Sequence, residues 1–366
     1  MHSYAFLKAR YACRFGLRAA VLLAVFMLAM TLTPMLVRFS EKAGHEHFAR
    51  FTAYAGYTWM AVLFLFVSVS LCIDFLRLCL YTAEHIFKID LSLAVYANRY
   101  FFIISLVCSL SIVAYGYYEA GQIKAEQLVI KTSKIPKETG RLKIVQISDV
   151  HLGLIVRNEK LGRIIAEIRK TNPDILVSTG DLLDGQIDQP EGFTEALKEI
   201  QPPYGKFAIM GNHEFYAGVE SSIDFMEKAG FRVLRGKSIA INGAVNIAGV
   251  DDISSRPYNY VEIDEKALLS GLPRNMYTLL LKHRPAVDPA AIGLFDLQLS
   301  GHTHMGQIFP FRYVVKLFFP RYSGFYKLSD TSYLYVSRGS GTWGPPIRFL
   351  AQPEITVIEL VHQSNE

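Results

Sequence analysis

The chain has 366 residues, 51% hydrophobic and 19% charged, with a formal net charge of +5 and a mean hydropathy of +0.22. That balance excludes one uniformly soluble fold, and a modest charge without a dense Lys/Arg run excludes a nucleic-acid patch, so no nucleic-acid partner is expected. The four cysteines, Cys13, Cys72, Cys79 and Cys108, lie in the N-terminal third, which excludes a thiolate nucleophile or Cys-ligated metal from the remainder.

Three uncharged stretches come first in the chain, at residues 19–37, 51–73 and 100–118. Each matches the roughly 20 residues that a helix needs to cross a bilayer. Tyr100, Phe101 and Phe102 at one end of the third stretch, and Tyr115, Tyr117 and Tyr118 at the other, resemble interfacial belts. Asp74 and Arg77 stand one helical turn apart after the second stretch, where they can pair. Residues 81–98 carry Glu84, Lys88 and Asp90 and read as a loop or surface-lying helix. The N-terminal flank holds Lys8, Arg10, Arg14 and Arg18, and the connection between the second and third stretches holds Arg77, Lys88 and Arg99. The connection between the first two holds Arg38, Lys42 and Arg50. Positive flanks stay inside, so the expectation is a cytoplasmic N-terminus, a multi-pass inner (plasma) membrane protein, and an extracytoplasmic domain after the third span.

The expected organisation is a transmembrane anchor at 1–120, a polar linker at 121–140 and a second domain at 141–366. In that domain helices and strands alternate. Strands are predicted at 143–147, 175–178 and 207–210 and helices at 159–169, 193–200 and 223–229. After residue 230 strands dominate, at 232–234, 245–250, 277–281, 297–300, 333–337 and 354–359. Two face-to-face sheets flanked by helices suit this pattern.

Each predicted strand of one subset runs directly into a polar cluster. These are Ser148-Asp149-Val150-His151, Gly180-Asp181-Leu182-Leu183-Asp184, Gly211-Asn212-His213-Glu214, the isolated His283, and Gly301-His302-Thr303-His304. Strand ends are where α/β folds place ligands. Aspartate oxygens, an asparagine carbonyl and imidazoles without thiolate suit Mn, Fe, Zn, Co or Ni. The donors are too many for one tetrahedral ion and enough for two ions sharing one carboxylate.

These five blocks, in this order, resemble the calcineurin-like metallophosphoesterases over residues 141–361, and the anchor together with the later Val336-to-Phe349 segment resembles their bacterial membrane-attached branch. The resemblance implies an α/β fold, a four-layer α/β/β/α sandwich. It implies two divalent metal ions, Mn, Fe or Zn, with Asp149, His151 and His304 on one and Asn212, His283 and His302 on the other, bridged by Asp181. It implies that His213 is no ligand but faces the leaving-group oxygen, with Asp184 and Glu214 steadying the ligands by hydrogen bonds. The expected reaction is hydrolysis of a phosphodiester by hydroxide held between two cations. The expected substrate is a lipid-linked or envelope phosphate ester, with membrane lipids as further partners. A nucleotide-lipid pyrophosphatase and a membrane sensor that binds a phospholigand without turnover are the alternatives.

Two further segments carry expectations. Gly339-Ser340-Gly341 fits no P-loop and reads as a turn packed under the metal site. Residues 309–326 interleave Phe and Tyr with Arg312, Lys316 and Arg321; they either pack on the domain's own sheet or form a membrane-facing lip.

Overall fold

The computed structural model describes residues 1–90, 97–185, 191–254 and 263–364. The chain divides into a helical unit, Met1–Tyr118 with Gly344–Phe349, and an α/β unit, Glu119–Trp343 with Leu350–Glu366.

The helical unit contains α1 (His2–Cys13), α2 (Leu17–Lys42), α3 (Glu46–Phe87) and α4 (Asn98–Glu119). Helices α2, α3 and α4 are long and apolar enough to cross a membrane. In the first two the helix outruns the uncharged stretch, because a polar residue does not end a helix that packing sustains. Over its 42 residues α3 reaches about 63 Å at 1.5 Å per residue, twice the hydrocarbon thickness. Residues 81–87, expected as a loop or surface helix, continue α3; residues 91–96 of that expectation lie outside the described residues. Close approach of α2 and α3 needs small side chains. A Cβ on Gly56 would lie 2.3 Å from the Thr33 hydroxyl, and Ala49 and Ala53 are buried on the same helix. Helix α1, expected only as a charged flank, buries Ala5, Ala9 and Ala12.

The α/β unit begins at β1 (Lys124–Thr132), followed by β2 (Arg141–Ile147), α5 (Asn158–Thr171), β3 (Ile175–Ser178), α6 (Glu191–Lys198) and β4 (Lys206–Ala208). Next come α7 (Asn212–Ala217), α8 (Val219–Lys228), β5 (Arg232–Val233), β6 (Lys237–Ile241), β7 (Val245–Val250), α9 (Glu265–Ser270) and β8 (Tyr277–Lys282). The last elements are β9 (Leu297–Ser300), α10 (Arg312–Phe318), β10 (Gly324–Lys327), β11 (Tyr333–Val336) and β12 (Glu354–His362). The stretch 121–140, expected as a linker, therefore contributes an edge strand. β1 pairs in parallel with β12, with Lys124 opposite Glu354 and Thr132 opposite His362.

One sheet runs β1-β12-β2-β3-β4-β5 and the other β10-β11-β9-β8-β7-β6. Strand side chains alternate between faces, and both faces here are apolar. In β2, Leu142 and Ile144 join the cluster that contains Leu279 and Leu281 of the opposite sheet. Val145 and Ile147 join the cluster with Ile164 and Ile168 of α5 and Phe225 of α8. In β8, Leu280 turns outward to Leu269 of α9. Helices, sheet, sheet and helix thus stack as a four-layer α/β/β/α sandwich. Strands β2, β3 and β4 are mutually parallel, with Ile147 opposite Ser178 and Ser178 opposite Ala208. β8 and β9 are parallel as well. Their C-terminal ends therefore gather the loops that carry the polar clusters.

Candidate metal centre

Tight turns at these strand ends hold the polar side chains. Asp149, His151, Asp181, His302 and His304 all have φ between 48° and 71°, a region that L-residues adopt at a cost and that collects at functional sites. Two glycines let the loops close. A Cβ on Gly301 would lie 1.9 Å from Ser148 Oγ and 2.2 Å from Asp149 Oδ2, and one on Gly341 would lie 1.9 Å from the Val150 carbonyl oxygen. The Gly339–Gly341 turn packs beneath the site, as expected. Ser340 N donates to the Ser148 carbonyl at 2.7 Å and Gly341 N to the Asp149 carbonyl at 3.0 Å. Those N–H groups are spent on the backbone and do not form a phosphate cradle.

The donor atoms converge in groups. Asp149, His151 and His304 bring ligand atoms within 4.8 Å of one another, and so do Asp181, His283 and His302. His151 Nε2 lies 3.0 Å from His304 Nε2, and His304 Nε2 lies 3.4 Å from Asp149 Oδ1. In the second group His283 Nε2 is 3.2 Å from Asp181 Oδ2, 3.2 Å from Asn212 Oδ1 and 3.2 Å from His302 Nδ1. Asp181 stands between the groups, its Oδ2 also 3.8 Å from His151 Nε2. His283 Nδ1–H donates to the Thr179 carbonyl at 2.8 Å, which fixes the tautomer and turns Nε2 toward the carboxylate.

A third group joins His151, Asp184 and His213. His213 Nδ1–H donates to the Asp184 carbonyl at 2.9 Å and lies 3.1 Å from Asp184 Oδ1. That nitrogen is committed, so Nε2 is the one with which His213 can act on another molecule. The His213 and His151 rings meet edge to face at 4.6 Å. Glu214 is buried and accepts from Asp181 N at 2.9 Å, Gly211 N at 2.7 Å and Leu183 N at 3.0 Å. It therefore fixes the loop that carries Asp181.

The electrostatics suit cations. Burial raises Asp149. Burial would raise Asp181 too, but the charge and hydrogen bond of His283 hold it well below the usual carboxylate range. Burial pulls His283 down, yet the charge of Asp181 and the hydrogen bond to it outweigh this and lift it to about 10. His213 also loses to burial and gains more from Asp184 and Asp181, reaching about 9. Burial, then the neighbouring His283 charge, pushes His302 down to about 3. Buried carboxylates here draw positive charge to themselves. Divalent cations meet that demand better than protons do, because they also accept lone pairs from neutral imidazoles. Among the described residues His151 Nδ1 has no hydrogen-bond partner, although Asp184 Oδ1 is 3.4 Å away; an imidazole turned by its Nε2 toward a metal position accounts for this. The residues fit two divalent ions.

The residues expected as metal ligands, together with Asp184, His213 and Glu214, all lie in this cluster. Three others did not stand out there. The Tyr216 ring lies 5.5 Å and the Trp343 ring 5.9 Å from the His213 ring, both edge to face, and both side chains are exposed. The Gln307 side-chain amide holds Trp343 by its backbone, donating to the carbonyl at 2.8 Å and accepting from N at 2.9 Å. Tyr216 could have been found, since it sits three residues after His213 on α7 and shares its face. Trp343 carries no local signal.

The lip is exposed. No residue of α10 is buried, and Leu317 and Phe318 are 80% and 74% exposed. The next residue, Phe319, behaves differently, meeting the His302 ring edge to face at 5.1 Å. Thr303 Oγ1 donates to the Tyr322 carbonyl at 2.6 Å, so the lip adjoins the metal-binding loop.

Residues 142–306 match the family model described as calcineurin-like phosphoesterase. An uncharacterized metallophosphoesterase of Aquifex aeolicus is 41% identical over 69% of this chain and 97% of its own. One from Campylobacter jejuni is 30% identical over 84% of this chain and 83% of its own. A transmembrane protein with metallophosphoesterase domain from Danio rerio is 31% identical over 70% of this chain and 62% of its own.

Proposed function

Since the chain belongs to the calcineurin-like metallophosphoesterases, metal-dependent phosphoesterases, we propose that it is a membrane-anchored, two-metal phosphodiesterase acting on a lipid-linked or envelope phosphate ester. The observation that carries the reading is Asp181, a buried carboxylate within 3.8 Å of an imidazole from each donor group.

In this reading Asp149, His151 and His304 would hold one divalent ion and Asn212, His283 and His302 the other, with Asp181 as the carboxylate that both would share. Bound divalent ions supply Lewis acidity, neutralising phosphoryl charge and acidifying water at neutral pH. The protein's own part lies in positioning and proton transfer. His213, held through Nδ1 by Asp184, donates a proton from Nε2 to the departing alkoxide, a contribution typically worth about 10²–10⁴ in rate. Asp184 keeps that imidazole charged and oriented. Tyr216 and Trp343 flank it on the leaving-group side. Glu214 holds the Asp181 loop rigid.

The lipid preference is supported by three apolar helices and by an exposed aromatic and basic lip adjoining the metal-binding loop. Amphipathic surfaces of this kind sink rings into the acyl boundary while cations meet headgroup phosphates. The Lys/Arg bias of the short flanks supports an inner-membrane protein with its catalytic unit outside the cytoplasm.

The test is metal analysis and turnover of the full chain in detergent. Saturating reconstitution should give two ions per chain, and Asp181→Asn should reduce occupancy of both sites while Asn212→Ala weakens mainly one. Turnover should favour an aryl phosphodiester and lipid diesters over a phosphomonoester. At most one ion per chain, or a clear preference for monoesters, rejects the reading. Faster turnover of a nucleotide-lipid would replace diesterase by pyrophosphatase activity.

A further inference from the structure

The helical unit has a cavity of its own, of about 270 Å³, between α1, α3 and the start of α4. Its wall includes Lys8 and Arg77 as charged groups, with Tyr11, Asn98 and Ser105 among the polar ones and Phe101 among the apolar ones. Asp74 stands beside this wall and holds its cations. Lys8 Nζ donates to Asp74, Tyr4 OH donates to Asp74 Oδ2 at 2.6 Å, and Arg77 Nη1 lies 3.5 Å from Asp74 Oδ1. Arg77 Nη2 also donates to Asn98 Oδ1 at 2.7 Å, and its guanidinium lies 5.1 Å from the centre of the Phe101 ring. Two cations of this wall are thus held by one carboxylate that is not itself among the residues lining the cavity.

The depth is informative. Asp74 and Arg77 come directly after the uncharged stretch 51–73, and Asn98 just before the stretch 100–118. The cavity lies where apolar chain gives way to polar chain, at headgroup level. Ionisable groups at the edge of a membrane span are costly unless they are paired or recruited. The Lys8 and Arg77 side chains keep 25% and 19% of their surface exposed, so an anion can reach them. Basic pockets between membrane helices take phosphate headgroups, and the apolar part of this wall suits the first carbons of an acyl chain.

We propose that this cavity is a binding site for a phosphate-bearing anion, with Lys8 and Arg77 as its recognition groups and an anionic phospholipid headgroup as the intended occupant. The proposal does not depend on the hydrolase reading.

The experiment uses the full chain in neutral detergent with EDTA throughout, which silences the metal centre. Native mass spectrometry measures binding of dioctanoyl phosphatidylglycerol, dioctanoyl phosphatidylcholine and inorganic phosphate. Phosphatidylglycerol should bind more tightly than phosphatidylcholine. The Lys8→Gln/Arg77→Gln double variant should bind it about twenty-five-fold more weakly, from roughly a fivefold loss per basic residue. Arg10→Gln, away from the cavity wall, should leave binding unchanged. Competition by inorganic phosphate at matching affinity would support the anion site with free phosphate as its source, and failure to compete assigns it to lipid.

Asp74→Asn separates recognition from a merely structural staple, and it serves where the double variant does not fold. Removing the competing carboxylate should tighten phosphatidylglycerol binding even if it lowers the melting temperature. Equal binding of phosphatidylglycerol by wild type and double variant, or binding that Asp74→Asn leaves unchanged or weakens, overturns the proposal.

Discussion

Glu214 gives a graded test of how the metal-binding loops are held. Its carboxylate is fully buried and takes three backbone N–H groups, two on Oε2 from Asp181 and Gly211 and one on Oε1 from Leu183. Hydrogen bonds to a charged group are each worth about 1.5–3 kcal/mol, and a buried N–H left without a partner costs about 1–3 kcal/mol. Glu214→Gln can set its amide oxygen in the place of Oε2 and keep two bonds, but its NH₂ then faces the Leu183 N–H. Glu214→Ala strands all three. Against this, burial and the Asp181 charge make the ionised carboxylate itself unfavourable, raising its pKa, so the lower part of each range applies. The expected losses are about 1–2 kcal/mol for Gln and about 3–5 kcal/mol for Ala, the latter a large share of the roughly 5–15 kcal/mol that holds a domain together. Urea unfolding can be followed through Trp343, one of two tryptophans, in a Trp59→Phe background, with metal content measured in parallel. Both metals should weaken together in the Ala variant, because the loop that slackens carries the shared Asp181. An Ala variant within about 1 kcal/mol of wild type, or a Gln variant as damaged as Ala, would refute the reasoning.

Other outcomes are equally specific. His213→Ala should keep both metals and lose about 10²–10⁴ in turnover on alkyl diesters, with a much smaller loss on nitrophenyl esters, whose leaving group departs without a proton; equal losses in steady-state assays would remove the acid role. Chelation should lower the melting temperature of the α/β unit. Ions present at about 1,000 times their dissociation constant stabilise by about 4 kcal/mol, or roughly 8–16 °C for a unit of this size, and calorimetry showing no shift would mean that the ions do not stabilise the folded unit. Leu317→Ser with Phe318→Ser should impair lipid diesters and spare a small soluble diester, whereas Phe319→Ser should impair both because that ring touches His302; matching losses from both changes would make the lip a structural element. An export-dependent reporter fused after Glu366 should be active, and activity restricted to a cytoplasmic reporter would reverse the orientation.

The sequence alone was enough for the long apolar helices, for most of the strands and for the polar clusters that end them, because each is written locally. An uncharged run of bilayer length, an apolar strand of four to six residues and the polar cluster that ends it are short-range signals. The edge strands β1, β6 and β10 escaped it. β1 is half exposed and carries Lys124, Glu126 and Lys131, so its pattern reads as polar linker, and its partner β12 lies more than 200 residues away. Nor could the sequence tell an exposed lip from a packed one, since Phe318 and Phe319 are the same residue type and differ only in what surrounds them. Tertiary structure also brought Trp343 to His213, made a tyrosine and a lysine of α1 converge on Asp74, and set His304 against His151 across 153 residues. The reason is that hydrophobic periodicity specifies which face of an element is buried, whereas the neighbour it is buried against depends on strand order and loop closure across the whole chain.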